Sequence, residues 1–169
     1  GVTTSSLYEV RLGREKFGKE VQAYSVAFSR DEIDKVKRYA DKIIFNSISQ
    51  LKMFSKNVSG LKIGLRINPG ISFSNFDLAD PVRKHSRLGV DDKASLLKVA
   101  HLISGVMFHF NCENDDFKNF SRNLETIGKK YGDFLKTLQW VSLGGGIYFT
   151  KKGYPIKKFS KLLKDFSRK

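Results

Sequence analysis

The run Gln139-Trp140-Val141-Ser142-Leu143-Gly144-Gly145-Gly146 decides the fold class of this sequence. A short apolar segment, typical of a buried strand, leads directly into three consecutive glycines. Glycine lets the backbone approach a ligand closely, and exposed N–H groups form concavities that bind anions. The run therefore predicts a phosphate site directly after a strand. A tight strand-to-helix turn is the alternative, although one glycine usually suffices for such a turn.

Short apolar segments alternate with longer segments of helical spacing along the rest of the chain. The predicted strands are Val21–Ala27, Lys42–Phe45, Leu61–Ile67, Ile103–Phe110 and Leu138–Leu143, with Gly1–Thr3 at the end of an earlier one. The predicted helices are Ser5–Phe17, Asp31–Tyr39, Ser47–Lys56, Lys93–His101, Asp115–Lys130 and Pro155–Phe166. This alternation predicts an α/β fold in which helices cover a parallel sheet.

The position of the glycine run distinguishes the two architectures that have such a sheet. Doubly wound sheets place a glycine-rich phosphate turn after an early strand, whereas β/α barrels often bind phosphate after late strands. The run follows the last predicted strand, so the sequence predicts a TIM-like β/α barrel. A complete barrel has eight strands and about 250 residues. We therefore expect residues 1–169 to form one domain, an incomplete barrel.

Composition limits the classes of function. The chain has 31 Lys and Arg against 17 Asp and Glu, a formal charge of +14, and a single cysteine, Cys112. Basic residues are spread over helical stretches such as 31–38 and 157–169 without a dense block, which argues against a nucleic-acid partner. A non-catalytic basic module that binds phosphate or nucleic acid stays open as an alternative. No apolar run suits a membrane span or a signal peptide, so we expect a cytoplasmic protein without a membrane partner.

Three side chains near predicted strand ends are candidates for chemistry, because the carboxyl ends of barrel strands form the active face. His109 could stack on an aromatic cofactor, bind a metal, exchange protons or serve structure alone. Arg66 either faces the active site or forms a structural ion pair. Glu113 could meet a substrate amine. His85 and His101 show no ligand spacing relative to His109, so no metal site is predicted.

The long stretch after the predicted strand Leu61–Ile67 and the acidic pair Asp115 and Asp116 also have predicted roles. The stretch Asn68–Asp92 is too long for a plain connector, and we expect it to be a substrate lid. Asp77 and Asp80 within it could form a local acidic patch with Glu113. Asp115 and Asp116 are expected to cap the helix that follows them.

Several phrases of the sequence together resemble the carboxynorspermidine/carboxyspermidine decarboxylase family, in order and spacing over essentially the whole chain. They are Ser5-Ser6-Leu7-Tyr8-Glu9, Phe45-Asn46-Ser47, Gly64-Leu65-Arg66-Ile67-Asn68-Pro69, Ser86-Arg87-Leu88-Gly89-Val90, Phe108-His109-Phe110-Asn111-Cys112-Glu113 and Trp140-Val141-Ser142-Leu143-Gly144-Gly145-Gly146. The wider diaminopimelate and ornithine decarboxylase group is similar mainly in the strand-end histidine, the arginine-bearing strand and the glycine run.

The resemblance implies an alanine-racemase-like fold, a pyridoxal-phosphate barrel with a C-terminal β domain, usually in a homodimer. This chain would then lack the first strand or strands and the β domain. His109 would stack on the cofactor ring, Gly144, Gly145 and Gly146 would hold its phosphate, and Glu9 and Arg66 would lie near it.

The implied activity is decarboxylation of a carboxylated polyamine in norspermidine and spermidine biosynthesis, with Glu113 near the substrate. The lysine that forms the family's Schiff base is not assigned to any residue of this chain. We therefore expect the 169 residues alone to be inefficient as a catalyst.

Overall fold

The computed structural model describes residues 1–168, which form six strands and six α-helices. The strands are β1 (Val2–Thr4), β2 (Val21–Tyr24), β3 (Lys42–Phe45), β4 (Lys62–Ile67), β5 (Gly105–Phe108) and β6 (Trp140–Ser142). The helices are α1 (Leu7–Phe17), α2 (Arg30–Val36), α3 (Ile48–Phe54), α4 (Lys93–Lys98), α5 (Phe117–Leu135) and α6 (Ile156–Ser167). Short 3₁₀ turns span Asp77–Ala79 and Ala100–Leu102. No helix within residues 1–168 is long and apolar enough to cross a bilayer.

All six strands lie in one parallel sheet whose spatial order is the chain order, β1 to β6. A doubly wound sheet would instead reverse its strand order at a switch point. The sheet curls into part of a barrel, and the helices α1 to α5 each lie in the connection between two neighbouring strands. The prediction of a partial β/α barrel is therefore confirmed, and the short segment at the start of the chain is a paired strand.

Polar side chains fix the points at which the helices begin. Ser29 and Glu32 form a complete capping box, so α2 begins at Arg30. Ser6 and Glu9 have the spacing of a capping box, but only half of it is formed. The Ser6 hydroxyl accepts from the Glu9 N–H, but the Glu9 carboxylate binds the N–H and hydroxyl of Ser5.

The two faces of the sheet differ because successive strand residues point to opposite sides. On one side Ala23, Phe45, Leu65 and Phe108, all fully or almost fully buried, pack against the helices in the hydrophobic core. The alternate residues form the opposite face, which we call the inner face. Its members include Tyr24, Ile44, Asn46, Gly64, Arg66, Gly105, Met107, His109, Trp140 and Ser142.

A tryptophan occupies the inner face near the amino end of the sheet. A Cβ built on Gly105 would lie 2.1 Å from Cδ2 of Trp140, and one built on Gly64 would lie 2.5 Å from Cη2. The Trp140 Nε1–H donates to Ser104 Oγ at 3.1 Å, and the ammonium of Lys42 lies 4.8 Å from the indole centroid. The indole therefore fills the space that side chains at the two glycines would occupy.

Candidate active site

The polar residues at the carboxyl ends of the strands form one connected group. We call the strand-end site the group Tyr24, Asn46, Arg66, His109 and Gly144–Gly146. Tyr24 is hydrogen-bonded to both Asn46 and Arg66. Arg66 is hydrogen-bonded to His109, and His109 to Gly145, so the group extends from β2 to the turn after β6. The structure thus brings together Arg66, His109 and the glycine run, which the sequence had singled out separately.

Arg66 carries a buried positive charge. The residue is 4% exposed, and its guanidinium donates to the hydroxyl of Tyr24 and, at 3.2 Å, to the carbonyl oxygen of His109. The guanidinium also lies 5.4 Å from the centroid of the Tyr24 ring. No carboxylate within residues 1–168 pairs with it, so the structural ion pair is not found there. A buried cation held only by neutral groups is electrostatically suited to an anionic ligand.

The imidazole of His109 is half-buried at the end of β5. The Gly145 N–H donates to its Nδ1 at 3.3 Å, so the neutral ring carries its proton on Nε2. Burial, followed by the positive charge of Arg66, lowers the pKa of His109 from its ordinary value of 6.5. At neutral pH the ring is therefore uncharged and presents a flat aromatic face.

This lowered pKa predicts a pH-dependent stability. The unfolded chain binds the proton more readily than the folded chain, so His109 contributes its full stabilisation above pH 6.5 and loses it as the pH falls through the folded pKa. We expect the free energy of unfolding to decrease between about pH 7.5 and about pH 5.5, and to decrease less in His109→Gln. Urea titrations at both pH values measure the difference. An equal decrease in the variant would contradict the assignment.

The glycine run is shaped by close backbone contacts as well as by open space. Gly144 and Gly146 have φ values of +71° and +78°, which side chains rarely adopt. A Cβ on Gly144 would lie 2.6 Å from His109 Nδ1, and one on Gly146 would lie 2.3 Å from the carbonyl oxygen of Asn111. A Cβ on Gly145 meets nothing within 4 Å. Gly144 and Gly146 therefore make the tight turn possible, while Gly145 faces open space. Phosphate binding by this turn stays a prediction.

Unused hydrogen-bond donors surround this turn. The amide Nδ2 of Asn111, a residue only 1% exposed, has no partner within residues 1–168. The Gly146 N–H likewise donates no hydrogen bond within residues 1–168. The neighbouring backbone hydrogen bonds use other groups: the Asn114 N–H donates to the Gly146 carbonyl, and the Tyr148 N–H donates to the Asn114 carbonyl. With Arg66, these groups make the region rich in donors and positive charge. Its chemistry fits a ligand that carries a phosphate.

Glu113 lies at the same edge of the sheet, four residues beyond His109. Its φ of +54° is unusual for a residue with a side chain. The hydroxyl of Tyr148 donates to its carboxylate, and this hydrogen bond raises the pKa of Tyr148. No Lys or Arg within residues 1–168 forms an ion pair with Glu113. Its exposed carboxylate is thus open to a cation.

Glu9 lies on α1, directly after the carboxyl end of β1. Its carboxylate accepts from the Ser5 N–H at 2.6 Å and from the Ser5 hydroxyl at 2.9 Å. These hydrogen bonds hold the pKa of Glu9 below its ordinary value of 4.5. The structure therefore places Glu9 as a charged group near the carboxyl ends of the strands, although outside the hydrogen-bonded strand-end site.

The expected lid, residues 68–92, is attached at both ends. Its early part pairs with the segment that follows β5, through Phe73 N–H to the Phe110 carbonyl and Cys112 N–H to the Phe73 carbonyl. Its last part pairs with β4 through the Val90 N–H, which donates to the Arg66 carbonyl. Between these attachments the apolar side chains of Phe76 and Leu78 are 60% and 84% exposed. The segment is thus an anchored loop with an exposed apolar tip.

Three other acidic residues near this edge, Asp80, Asp115 and Asp116, have local partners. Asp80 accepts from Ser72 Oγ and the Val82 N–H, which ties it into the loop, and Asp77 is exposed in the 3₁₀ turn. Of the two expected caps, Asp116 does cap α5, whereas Asp115 pairs with Lys151. Asp80, Asp115 and Asp116 thus have local partners, whereas no cation pairs with Glu113 within residues 1–168.

Sequence reasoning missed two members of the strand-end site, Tyr24 and Asn46. Tyr24 links Arg66 to Asn46, whose side chain is 5% exposed. Each is a polar residue on the inner-face register at the end of an apolar strand. That period-two register was the signal that would have identified them.

Comparison with known proteins leads first to a class, the decarboxylases. The crystal structure of carboxynorspermidine decarboxylase complexed with norspermidine from Campylobacter jejuni superposes with a TM-score of 0.86 at 33% identity. The match covers 99% of this chain and 43% of that one. The two proteins therefore share the fold of this segment. No family model matches the sequence.

The curated relatives indicate more narrowly which decarboxylases this chain is similar to. A carboxynorspermidine/carboxyspermidine decarboxylase from Herminiimonas arsenicoxydans is 53% identical over 168 residues, 99% of this chain and 46% of the relative. A carboxyaminopropylagmatine decarboxylase from Synechocystis is 33% identical over 171 residues and is matched over 44% of its length. The resemblance seen in the sequence is confirmed. The chain spans a little under half the length of the curated relatives it matches.

Proposed function

We propose that this chain is the barrel portion of a pyridoxal-phosphate-dependent decarboxylase that acts on carboxynorspermidine or carboxyspermidine. The observation that carries the proposal is the buried guanidinium of Arg66, which has no carboxylate partner within residues 1–168 and lies beside His109. The identity of 53% to a relative of that name supports the choice of substrate.

Each part of the site has a role in holding the cofactor under this proposal. The turn Gly144–Gly146 receives the phosphate, because Gly145 faces open space and the Gly146 N–H is unused within residues 1–168. The neutral imidazole of His109 offers its face to the pyridine ring. Arg66 supplies positive charge nearby, and Glu9 supplies a carboxylate at the same edge.

The bound cofactor supplies an electron sink for the pair of electrons left when carbon dioxide departs. The residues of this chain orient the cofactor and the substrate and stabilise the charges that develop on them. The buried cation of Arg66 is already fixed by Tyr24 and the His109 carbonyl, so little reorganisation accompanies the build-up of negative charge. Glu113 and Tyr148 bind a substrate ammonium, the carboxylate by charge and the ring by its face. A local carboxylate thus attracts a cationic polyamine although the chain carries +14 overall.

Further features belong to the same proposal. Residues 1–169 form one incomplete pyridoxal-phosphate domain, the enzyme is a homodimer, and it acts in the cytoplasm. The small-molecule substrate and the single cysteine support a cytoplasmic location. The Schiff-base lysine is not assigned to this chain.

A substrate panel tests the proposal. The full-length gene product, supplied with pyridoxal phosphate, is assayed for carbon dioxide release from carboxynorspermidine, carboxyspermidine, carboxyaminopropylagmatine, diaminopimelate and ornithine. We expect kcat/KM to be at least about tenfold higher for carboxynorspermidine or carboxyspermidine than for the other three. Preference for one of the others would reassign the substrate within this fold. No release from any of them would refute the proposal.

A further inference from the structure

The side chain of Asn46 joins the loop 68–92 to the strand-end site. It is 5% exposed, and its amide makes three hydrogen bonds with distant parts of the chain. Nδ2 donates to the carbonyl oxygen of Arg87 at 2.9 Å, while Oδ1 accepts from the Gly89 N–H at 3.1 Å and from the Tyr24 hydroxyl at 3.2 Å. Both ends of the amide are therefore satisfied, and a residue of β3's carboxyl end holds a loop more than 40 positions away.

The hydroxyl of Tyr24 carries this contact onward. It donates to Asn46 and accepts from Nη1 of Arg66, whose Nη2 donates to the His109 carbonyl at 3.2 Å. A continuous path of hydrogen bonds thus runs from the loop through Asn46 and Tyr24 to the buried cation. Because Arg66 has no carboxylate partner within residues 1–168, Tyr24 is a main determinant of where its guanidinium lies.

The segment that Asn46 holds is the return of the loop to the sheet. Val90 pairs with β4, its N–H donating to the Arg66 carbonyl and its own carbonyl accepting from the Asn68 N–H, both at 2.9 Å. Gly89 has a φ of +86°, and a Cβ there would lie 2.8 Å from the Asn68 nitrogen. The loop therefore comes back at close range against the backbone of the strand that carries Arg66.

We propose that Asn46 is a positioning residue that fixes the return of the loop and, through Tyr24, the orientation of the Arg66 guanidinium. The role toward the cofactor rests on the proposed function, whereas the anchoring of the loop does not. Neither Asn46 nor Tyr24 is a catalytic residue in this proposal, since each acts through Arg66. The effects of the two residues are separable, because the hydrogen bonds of the Tyr24 hydroxyl go to Asn46 and Arg66 and, within residues 1–168, none goes to the loop.

Trypsin reports on the anchored segment directly. Arg83, Lys84 and Arg87 are exposed, and the carbonyl of Arg87 is both the scissile group for trypsin and the acceptor from Asn46. Loss of the amide frees this carbonyl, so in Asn46→Ala of the full-length gene product we expect cleavage after Arg87 to be about tenfold faster. Cleavage after Lys84, which Asn46 does not contact, should change less than about twofold. Mass spectrometry of the fragments separates the two sites.

The affinity for pyridoxal phosphate tests the other end of the hydrogen-bond path, the position of the Arg66 guanidinium. We expect the Kd to rise about tenfold in both Asn46→Ala and Tyr24→Phe, while Tyr24→Phe leaves cleavage after Arg87 as in the unaltered protein. Asn123→Ala, which removes a side-chain hydrogen bond within α5, is the matched control and should change neither. If Asn46→Ala does not fold, Asn46→Asp takes its place, because it keeps the acceptor for Gly89 and loses the donor to Arg87.

The outcomes separate the two proposals. Unchanged cleavage after Arg87 in the Asn46 variants would overturn the anchoring role. Unchanged cofactor affinity in Tyr24→Phe would overturn the positioning of Arg66. Failure of the unaltered protein to bind pyridoxal phosphate would refute the proposed function, and with it the role of Asn46 toward the cofactor, while the trypsin pattern still decides whether Asn46 anchors the loop.

Discussion

Replacing Arg66 with methionine is expected to weaken the binding of pyridoxal phosphate by about a hundredfold, because a charged hydrogen-bonding partner is lost. The same change should leave the cofactor-free protein at least as stable as before. A buried charge without an opposite charge is costly to desolvate, and replacing buried charged groups with apolar residues of similar volume is often neutral or stabilising. The side chain of Arg66 is almost fully buried and has only neutral partners within residues 1–168.

Two measurements on the full-length gene product check this prediction, calorimetric titration with pyridoxal phosphate and urea denaturation of the cofactor-free form. Arg11→Met is the matched control, since Arg11 is exposed and pairs with Glu15 on the surface of α1. The control should bind the cofactor normally. A large loss of stability in Arg66→Met with unchanged affinity would mean that Arg66 serves structure rather than ligand binding.

Replacing Gly146 with alanine is expected to destabilise the fold by about 2–4 kcal/mol. A side chain at the positive φ of Gly146 is strained by about 1–2 kcal/mol, and a forced close contact adds about 1–3 kcal/mol. The contact cannot be relieved by rotating a side chain, because the new Cβ would lie 2.3 Å from the Asn111 oxygen and 2.8 Å from its carbonyl carbon, both backbone atoms.

Gly145→Ala is the matched control within the same turn. Its Cβ meets no atom within 4 Å, so stability should stay within about 0.5 kcal/mol of the unaltered protein. The added methyl would instead reduce the space for phosphate and lower cofactor affinity. Gly146→Ala is thus expected to lower mainly the stability of the fold, and Gly145→Ala mainly the affinity for the cofactor. Equal destabilisation in urea titrations of the two would contradict the described turn.

The sequence predicted the order of the helices and strands correctly, but it predicted the residues at which they end less accurately. Apolar runs predicted every strand within a few residues, yet β2 ends at Tyr24 rather than Ala27, since Val26 is 54% exposed beyond the last pairing. Conversely α5 continues to Leu135, past the predicted end at Lys130, because Tyr131 and Phe134 extend its buried face. Burial against neighbouring elements, which no local window contains, decided these boundaries.

The candidate site was predictable where one residue carried its own signal. A histidine at a strand end, an arginine in an apolar strand and three successive glycines all stand out in the sequence. Tyr24 and Asn46 do not, since their importance comes from contacts with residues 42 and 41 positions away. Those contacts depend on the register of three parallel strands, which the chain alone does not specify.

The central claim is that the turn after β6 holds the phosphate of the cofactor. Calorimetric titration of the cofactor-free, full-length gene product with pyridoxal phosphate and with pyridoxal tests it most directly, because the two compounds share the aldehyde and ring and differ in the phosphate. The donor-rich turn predicts that pyridoxal phosphate binds at least about a hundredfold more tightly, and that Gly145→Ala narrows the difference. Equal affinity for the two compounds would contradict the account.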